Sequence, residues 1–162
     1  MTPDAVVDSV ADIGLDLLRR WQIEGVVLDL DNTIVAWHRS EITPAAQRFV
    51  QLLHSAGLKI CLLTNNYGAH ARTVADAIGA HIVRAALKPL PGGFRRALAS
   101  MDVTSQTAVT IGDQLFTDVL GAKLVGMRAI LVMPVAQREF LTTRFLRWLE
   151  RPIVERLKRE RR

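Results

Sequence analysis

Asp29 and Asp31 stand two residues apart, directly after the apolar run Val26-Val27-Leu28. In extended backbone, side chains two residues apart share a face. A strand ending here aims both carboxylates into one crevice. Paired carboxylates repel and raise each other's pKa, and a hard cation such as Mg²⁺ removes that cost. Three more polar groups follow apolar stretches in the same way. Thr64-Asn65-Asn66 comes after Leu58–Leu63, Lys88-Pro89 after the segment around His81–Val83, and Gly112-Asp113 through Thr117-Asp118 after Thr107–Ile111. The collected set is carboxylates, a hydroxyl, an amide and one ammonium. It suits a phosphoryl group and a metal ion, where positioning and charge neutralisation do most of the catalysis. Singly, each group has a plainer reading. Thr-Asn is a turn or cap, a lysine before proline is a solvated charge, and Asp118 favours a helix dipole. Their order, one group after each strand, is what points to chemistry.

The elements that must position these groups alternate. The expected strands are Val26–Leu30, Leu58–Leu63, His81–Val83, Thr107–Ile111 and Arg128–Val132. Expected helices run from Thr43-Pro44 to Gly57, over 68–79, around 93–101 and over about 117–124. Thr2-Pro3 has the form of an N-cap with proline at the first helical position. Val6, Val10, Ile13 and Leu17 then recur at helical spacing, so a further N-terminal helix is expected. Residues 32–42 are expected to be an irregular flap. This alternation predicts an α/β fold, a doubly wound, Rossmann-like parallel sheet with helices on both faces. In such a sheet the C-terminal strand ends converge on one edge.

The 162 residues, 49% of them hydrophobic, suffice for one domain with a full core. No apolar run approaches the ~18 residues of a membrane span. Asp4, Asp8 and Asp12 argue against a signal peptide. Cys61 is the sole cysteine, which excludes an internal disulfide and fits a reducing cytosol. Its apolar surroundings predict a buried, inert thiol. The net charge of +5 is concentrated in residues 138–162, while the first 137 residues balance to zero. The basic character is therefore assigned to the C-terminal segment alone, with an anionic partner there or merely a solvated tail. The expected organisation is a phosphate-handling domain over 1–137, N-terminal helix included, with an extension of the same domain over 138–162.

The four groups resemble the motifs of the haloacid dehalogenase-like phosphatases. They match at Asp29-x-Asp31-x-Thr33, Thr64, Lys88 and Gly112-Asp113 through Asp118, and the likeness covers roughly residues 24 to 135. The fuller wording, with Trp37, Ile42-Thr-Pro44, Thr64-Asn-Asn66 and Lys88-Pro89, is similar to the YqeG branch of subfamily IIIA. That branch includes phosphatidylglycerophosphate phosphatases of bacteria, mitochondria and plastids. The resemblance implies a HAD-like core and an aspartyl-phosphate mechanism. Asp29 would be the nucleophile, Asp31 the general acid and base, and Lys88 the neutralising cation. Thr64, Lys88 and the backbone near Asn65 would bind phosphate. Mg²⁺ would be held by Asp29, the Asp31 carbonyl and Asp113. Thr33 and Asp118 would support the site from behind, and Asn32, Asn66 and Gln114 would line the entrance or form turns. About 30 residues separate Asp31 from Thr64, and 24 separate Thr64 from Lys88. Neither interval has room for the cap domain usual in this superfamily, and an open site favours large substrates over small metabolites.

Residues 140–150 place Leu141, Phe145, Trp148 and Leu149 on one helical face and Arg144, Arg147 and Arg151 on another. This pattern fits either an interfacial helix on anionic membrane or a helix packed on its own domain. The leading expectation is a cytoplasmic Mg²⁺-dependent phosphatase, peripheral on the membrane, that acts on phosphatidylglycerophosphate. Alternatives are a phosphatase of a soluble phosphomonoester or phosphoprotein, a receiver-like module, or a nucleic-acid-binding module. Asp31 argues against the receiver. No recognition motif accompanies the basic tail, so no nucleic-acid partner is expected. His38, His54, His70 and His81 have no metal-ligand spacing, and Trp37 is expected to cover the core beneath the flap.

Overall fold

The structure, a computed structural model, describes residues 2–30, 34 and 42–133. Six strands form one sheet: β1 (Ala5–Val7), β2 (Gly25–Leu28), β3 (Lys59–Leu63), β4 (His81–Val83), β5 (Ala108–Gly112) and β6 (Arg128–Val132). All neighbours pair in parallel, in the spatial order β1-β6-β5-β2-β3-β4. From β2 the chain steps outward through β3 to β4, then returns to β5 on the other side of β2. The direction of winding reverses between β2 and β5, and the crevice beyond that reversal is where such sheets hold ligands. Asp29 leaves the sheet on one side of it and Asp113 on the other.

Parallel strands covered on both faces have no solvent side, so they run continuously apolar. In β2 and β5 every residue is buried. Successive side chains divide between two cores. Val26, Leu28, Ile60, Leu62, Val109 and Ile111 face α2 (Pro44–Ser55) and α3 (Ala69–Ala77). Val27, Cys61, Leu63, Ala108, Ala129 and Leu131 face α4 (Pro91–Met101) and α5 (Leu120–Leu124). The helix starts follow the capping logic of the sequence. Thr43 Oγ1 accepts from Ala46 N at 3.2 Å, and Pro44 fills the first turn. Gly57, at φ +73°, ends that helix in the left-handed region.

The N-terminus departs from expectation. Residues 5–7 form the edge strand β1, with Ala5 opposite Ile130 and Val7 opposite Val132. Only Leu15–Arg20 is α-helical there (α1), after a 3₁₀ turn at Val10–Asp12. Two competing interactions explain the difference. The open edge of β6 offers a hydrogen-bonding ladder to the β-branched pair Val6-Val7. Asp4 fixes the register: its backbone N–H donates to Ala129 O at 2.8 Å and its carboxylate accepts from Ala129 N at 2.7 Å. Ser9 and Asp12 then form a capping box that starts a new turn where the long helix was expected to continue. Of the residues at helical spacing, Val10 and Ile13 are buried and Val6 and Leu17 half-buried, while Val7, outside that spacing, is buried in the strand. The apolar spacing marked a face turned toward the core, and its helical period does not hold. Residues 138–162, the flap over 35–41 with Trp37 and His38, and Asp31, Asn32 and Thr33 lie outside the described residues.

Cys61 is fully buried in β3, and burial pushes its thiol up to about 11. A charged thiol reagent is therefore expected to label the native protein only through global opening. Labelling should track the unfolded fraction across a urea titration, and rapid labelling in buffer would contradict this packing.

Candidate active site

Each polar group sits at the C-terminal end of a strand. Asp29 follows β2 directly, and its N–H still donates to Ile111 O at 2.9 Å, so its position is set by the sheet itself. Thr64 follows β3 and is buried; its N–H donates to Val83 O at 3.1 Å, and its Oγ1 accepts from Asn66 N at 3.0 Å. Lys88 lies on the loop after β4, and Asp113 follows β5.

Asp118 reaches the same crevice from a widened turn. Residues 115–119 are π-helical, with Val119 N donating to Gln114 O, before α5 begins. This turn brings the Asp118 carboxylate back over Gly112. A Cβ built on Gly112 would lie 2.4 Å from Asp118 Cγ, so only glycine fits at the end of β5.

Lys88 joins these elements. Its Nζ donates to Asp29 Oδ1 at 2.5 Å and to Asp118 Oδ1 at 2.7 Å. All three side chains are at most 6% exposed. Asp118 Oδ2 accepts from Gln114 N at 3.2 Å, so both of its oxygens are engaged in holding structure. Asp29, Asp113 and Asp118 are all buried and can present carboxylate oxygens within 4.8 Å of one another. Two buried carboxylates thus share one ammonium, and a third, Asp113, lies close to them. Burial raises the Asp29 carboxyl well above the usual carboxylate range; Lys88 draws it down, while Asp118 and Asp113 push it up again. Burial disfavours the Lys88 ammonium, but the charges of Asp118 and then Asp29 outweigh it, and its pKa rises overall. Asp29 Oδ2 is buried and finds no hydrogen-bond donor among the described residues. An unsatisfied oxygen, surplus negative charge and an all-oxygen donor set fit a divalent cation of the Mg²⁺ type.

Asn65 has a placement that residue spacing does not reveal. Its Oδ1 accepts from Lys88 N at 2.7 Å, and its Nδ2 donates to Lys88 O at 3.3 Å. The side chain therefore grips the lysine loop, leaving only its backbone for a ligand. Ala86 N donates to Thr64 O at 3.0 Å, tying the same two loops again. Ala85 and Leu87 adopt left-handed φ of 49° and 54°, strained for residues with a Cβ and maintained by this bracing. Lys88-Pro89 is cis. The sequence signal for the clamp was the Asn directly after a buried Thr, though nothing in it named Lys88 as the partner. Asn66 and Gln114 are turn formers. Asn66 Oδ1 accepts from Gly68 N, and Gln114 Oε1 accepts from Thr117 Oγ1. Among the histidines, His54 bonds Ile78 O at 2.7 Å, and both His70 and His81 are exposed. Asp31 and Thr33 fall outside the described residues.

The sequence profile of the haloacid dehalogenase-like hydrolases matches residues 15–126. The chain is 35% identical over 158 residues to the probable phosphatase YqeG of Bacillus subtilis, spanning 98% of this chain and 92% of that one. It is 25% identical to phosphatidylglycerophosphate phosphatase 1 of Arabidopsis thaliana, over 85% of this chain and 42% of the plant protein. Among solved structures, NagD from Escherichia coli superposes with a TM-score of 0.60 at 16% identity, covering 71% of this chain and 90% of NagD. That last likeness concerns the fold.

Two outcomes follow from the charge balance. With its pKa raised by folding, Asp29 binds a proton in the native protein that the unfolded chain has already released. Its contribution to stability is present at low pH and is lost as pH rises through the raised value. Without metal, stability should therefore decline as pH rises above the ordinary carboxylate range. The rise in Tm on adding Mg²⁺ should be larger at the higher pH values, as a thermal-shift series with and without chelator would show. Lys88→Met strands Asp29 and Asp118 and should cost about 3–5 kcal/mol in urea unfolding with chelator present. The loss should shrink when Asp118→Asn is added.

Proposed function

The chain belongs to the haloacid dehalogenase-like hydrolases and is a phosphatase, and from that premise we propose that it dephosphorylates phosphatidylglycerophosphate through a covalent aspartyl-phosphate. The observation carrying the chemistry is the buried Lys88 ammonium shared between Asp29 and Asp118, with Asp113 beside them. Asp29 is the nucleophile. Its carboxylate oxygen forms a bond to phosphorus as the bond to the leaving alcohol oxygen breaks, and Asp31 gives that oxygen its proton. Asp31 then takes a proton from water. The water oxygen bonds to phosphorus, the acyl-phosphate bond breaks, and Asp29 is regenerated with release of inorganic phosphate.

Lys88 lowers the repulsion between the Asp29 carboxylate and the phosphoryl oxygens, and spreads its charge over them as they approach. Thr64 Oγ1 and the Asn65 backbone hold phosphoryl oxygens. Asp118 acts through Lys88, fixing the ammonium, and Thr33 steadies the loop after β2. Asp29, the Asp31 carbonyl and Asp113 would hold Mg²⁺, which when bound supplies Lewis-acid polarisation of the phosphoryl group.

The lipid substrate is supported by the likeness to the plant phosphatase and by the motif wording of residues 29–33, 64–66 and 88–89. The absence of space for a cap domain agrees with a bulky substrate. No helix among the described residues is long and apolar enough to cross a membrane. We assign residues 138–162 to peripheral contact with anionic lipid on the cytoplasmic side.

The test is phosphate release with Mg²⁺ from phosphatidylglycerophosphate in mixed micelles, against a panel of soluble phosphomonoesters. The lipid should be preferred at least tenfold in kcat/KM. Asp29→Asn should abolish turnover of every substrate while keeping the fold by circular dichroism. Turnover of soluble esters alone would discard the lipid and keep the mechanism, whereas an active Asp29→Asn would discard the mechanism.

A further inference from the structure

The balanced charge of residues 1–137 conceals a segregation. Residues 64–75 and 82–101 contain no Asp or Glu but carry Arg72, Arg84, Lys88, Arg95 and Arg96. Lys88 is buried in the site, and the four arginines are exposed. The basic character is therefore not confined to the C-terminal segment, contrary to the sequence expectation. It also covers the two loops that deliver Thr64 and Lys88 and the helix α4, whereas α3 carries Arg72 against an exposed Asp76.

The same loops carry exposed apolar side chains. Tyr67 is 70% exposed, Leu87 58% and Leu90 57%, and these are three of the five large exposed hydrophobics among the described residues. Leu87 neighbours the inward-pointing Lys88, and Leu90 precedes α4. Arg84 and Arg96 line a cleft of about 410 Å³ with Tyr67, Ile82, Val83 and Ala85. Both guanidiniums are steadied by backbone. Arg84 donates to Tyr67 O and Arg96 to Ala85 O, each at 3.3 Å. Neither has a carboxylate partner among the described residues.

Exposed aliphatic and phenolic tips beside unpaired arginines are the composition of a surface that meets lipid. The apolar groups enter the acyl boundary and the guanidiniums meet the headgroup phosphates. Both loops leave the C-terminal edge of the sheet, the edge where Asp29 lies, so docking and catalysis would share one side of the molecule. A nucleic-acid surface would favour stacking aromatics over exposed leucines, and a second copy of this chain would bring like charges together. We propose that Tyr67, Leu87 and Leu90, with Arg84 and Arg96, dock the enzyme on an anionic phospholipid bilayer with the catalytic crevice facing it. This rests on the reading that the substrate is a lipid.

The test is flotation of the full chain with phosphatidylcholine vesicles, with and without phosphatidylglycerol, at low and high salt. Wild type should float only with anionic vesicles, and high salt should weaken it. Arg84→Glu/Arg96→Glu and Tyr67→Ser/Leu90→Ser should each reduce the bound fraction about tenfold, while hydrolysis of a soluble phosphomonoester stays within about twofold of wild type. The proposal is overturned if wild type does not float, or if both double variants float as well as wild type, which would place binding in residues 138–162 alone. Equal or tighter binding to RNA, retained in Tyr67→Ser/Leu90→Ser, would also overturn it. Micelle turnover separates the two readings. Flotation that depends on these side chains, without phosphatidylglycerophosphate turnover in micelles, would leave the docking surface and remove the substrate. Micelle turnover with flotation that does not depend on them would do the reverse.

Discussion

Lys88 is placed where an ammonium is costly, in a pocket nearly closed to water, between the carboxylates of Asp29 and Asp118 with Asp113 close by. Burying any one of these charges alone is prohibitive, so the ammonium and its carboxylates are stable only as a unit, and among the described residues of the cluster the acids outnumber the cation. Much of the surrounding structure serves to hold that unbalanced cluster together. The β2 ladder fixes Asp29, the widened turn before α5 swings Asp118 over Gly112, and the Asn65 amide grips the lysine backbone. The surplus negative charge links fold to function, because a cation that relieves it also offsets the repulsion an incoming phosphoryl group would meet.

The sheet makes this possible through its order of winding. β2 and β5 are neighbours in space and eighty residues apart in sequence, so Asp29 and Asp113 meet at the point of reversal without any loop having to carry them there. The two apolar layers on either face keep β2 and β5 dry along their length. Placing acids at the ends of strands this rigid restricts their motion, which suits a reaction where positioning supplies most of the rate.

Much of this was legible in the sequence for a physical reason. A parallel strand buried on both faces is apolar almost throughout, with buried Thr110 the exception in β5, so the polar residue that follows the apolar run marks its end and borders the ligand crevice. Asp29, Thr64 and Asp113 announced themselves in this way, as did the capping pair Thr43-Pro44. The N-terminal segment misled because Val6, Val10, Ile13 and Leu17 satisfy a helical period while the competing partner, the edge of β6, lies more than a hundred residues away. The Asn65 clamp was hidden for a similar reason. An amide after a strand has many local uses, and its actual partner is the backbone of a loop after a different strand. The surface charge at Arg72, Arg84, Arg95 and Arg96 does not show in a net charge summed along the chain, because the fold brings together basic residues from separate segments.

The double hydrogen bond between Asn65 and Lys88 makes the loops after β3 and β4 one mechanical piece. For anyone recombining relatives of this protein, the smallest exchangeable cassette is then not a single loop. A segment bearing Lys88 taken without the matching Asn65 would bring its ammonium but not the brace that sustains left-handed φ at Ala85 and Leu87. Crossover points between homologues should fall before β3 and after the first turn of α4, so that both halves of the clamp are inherited from the same parent.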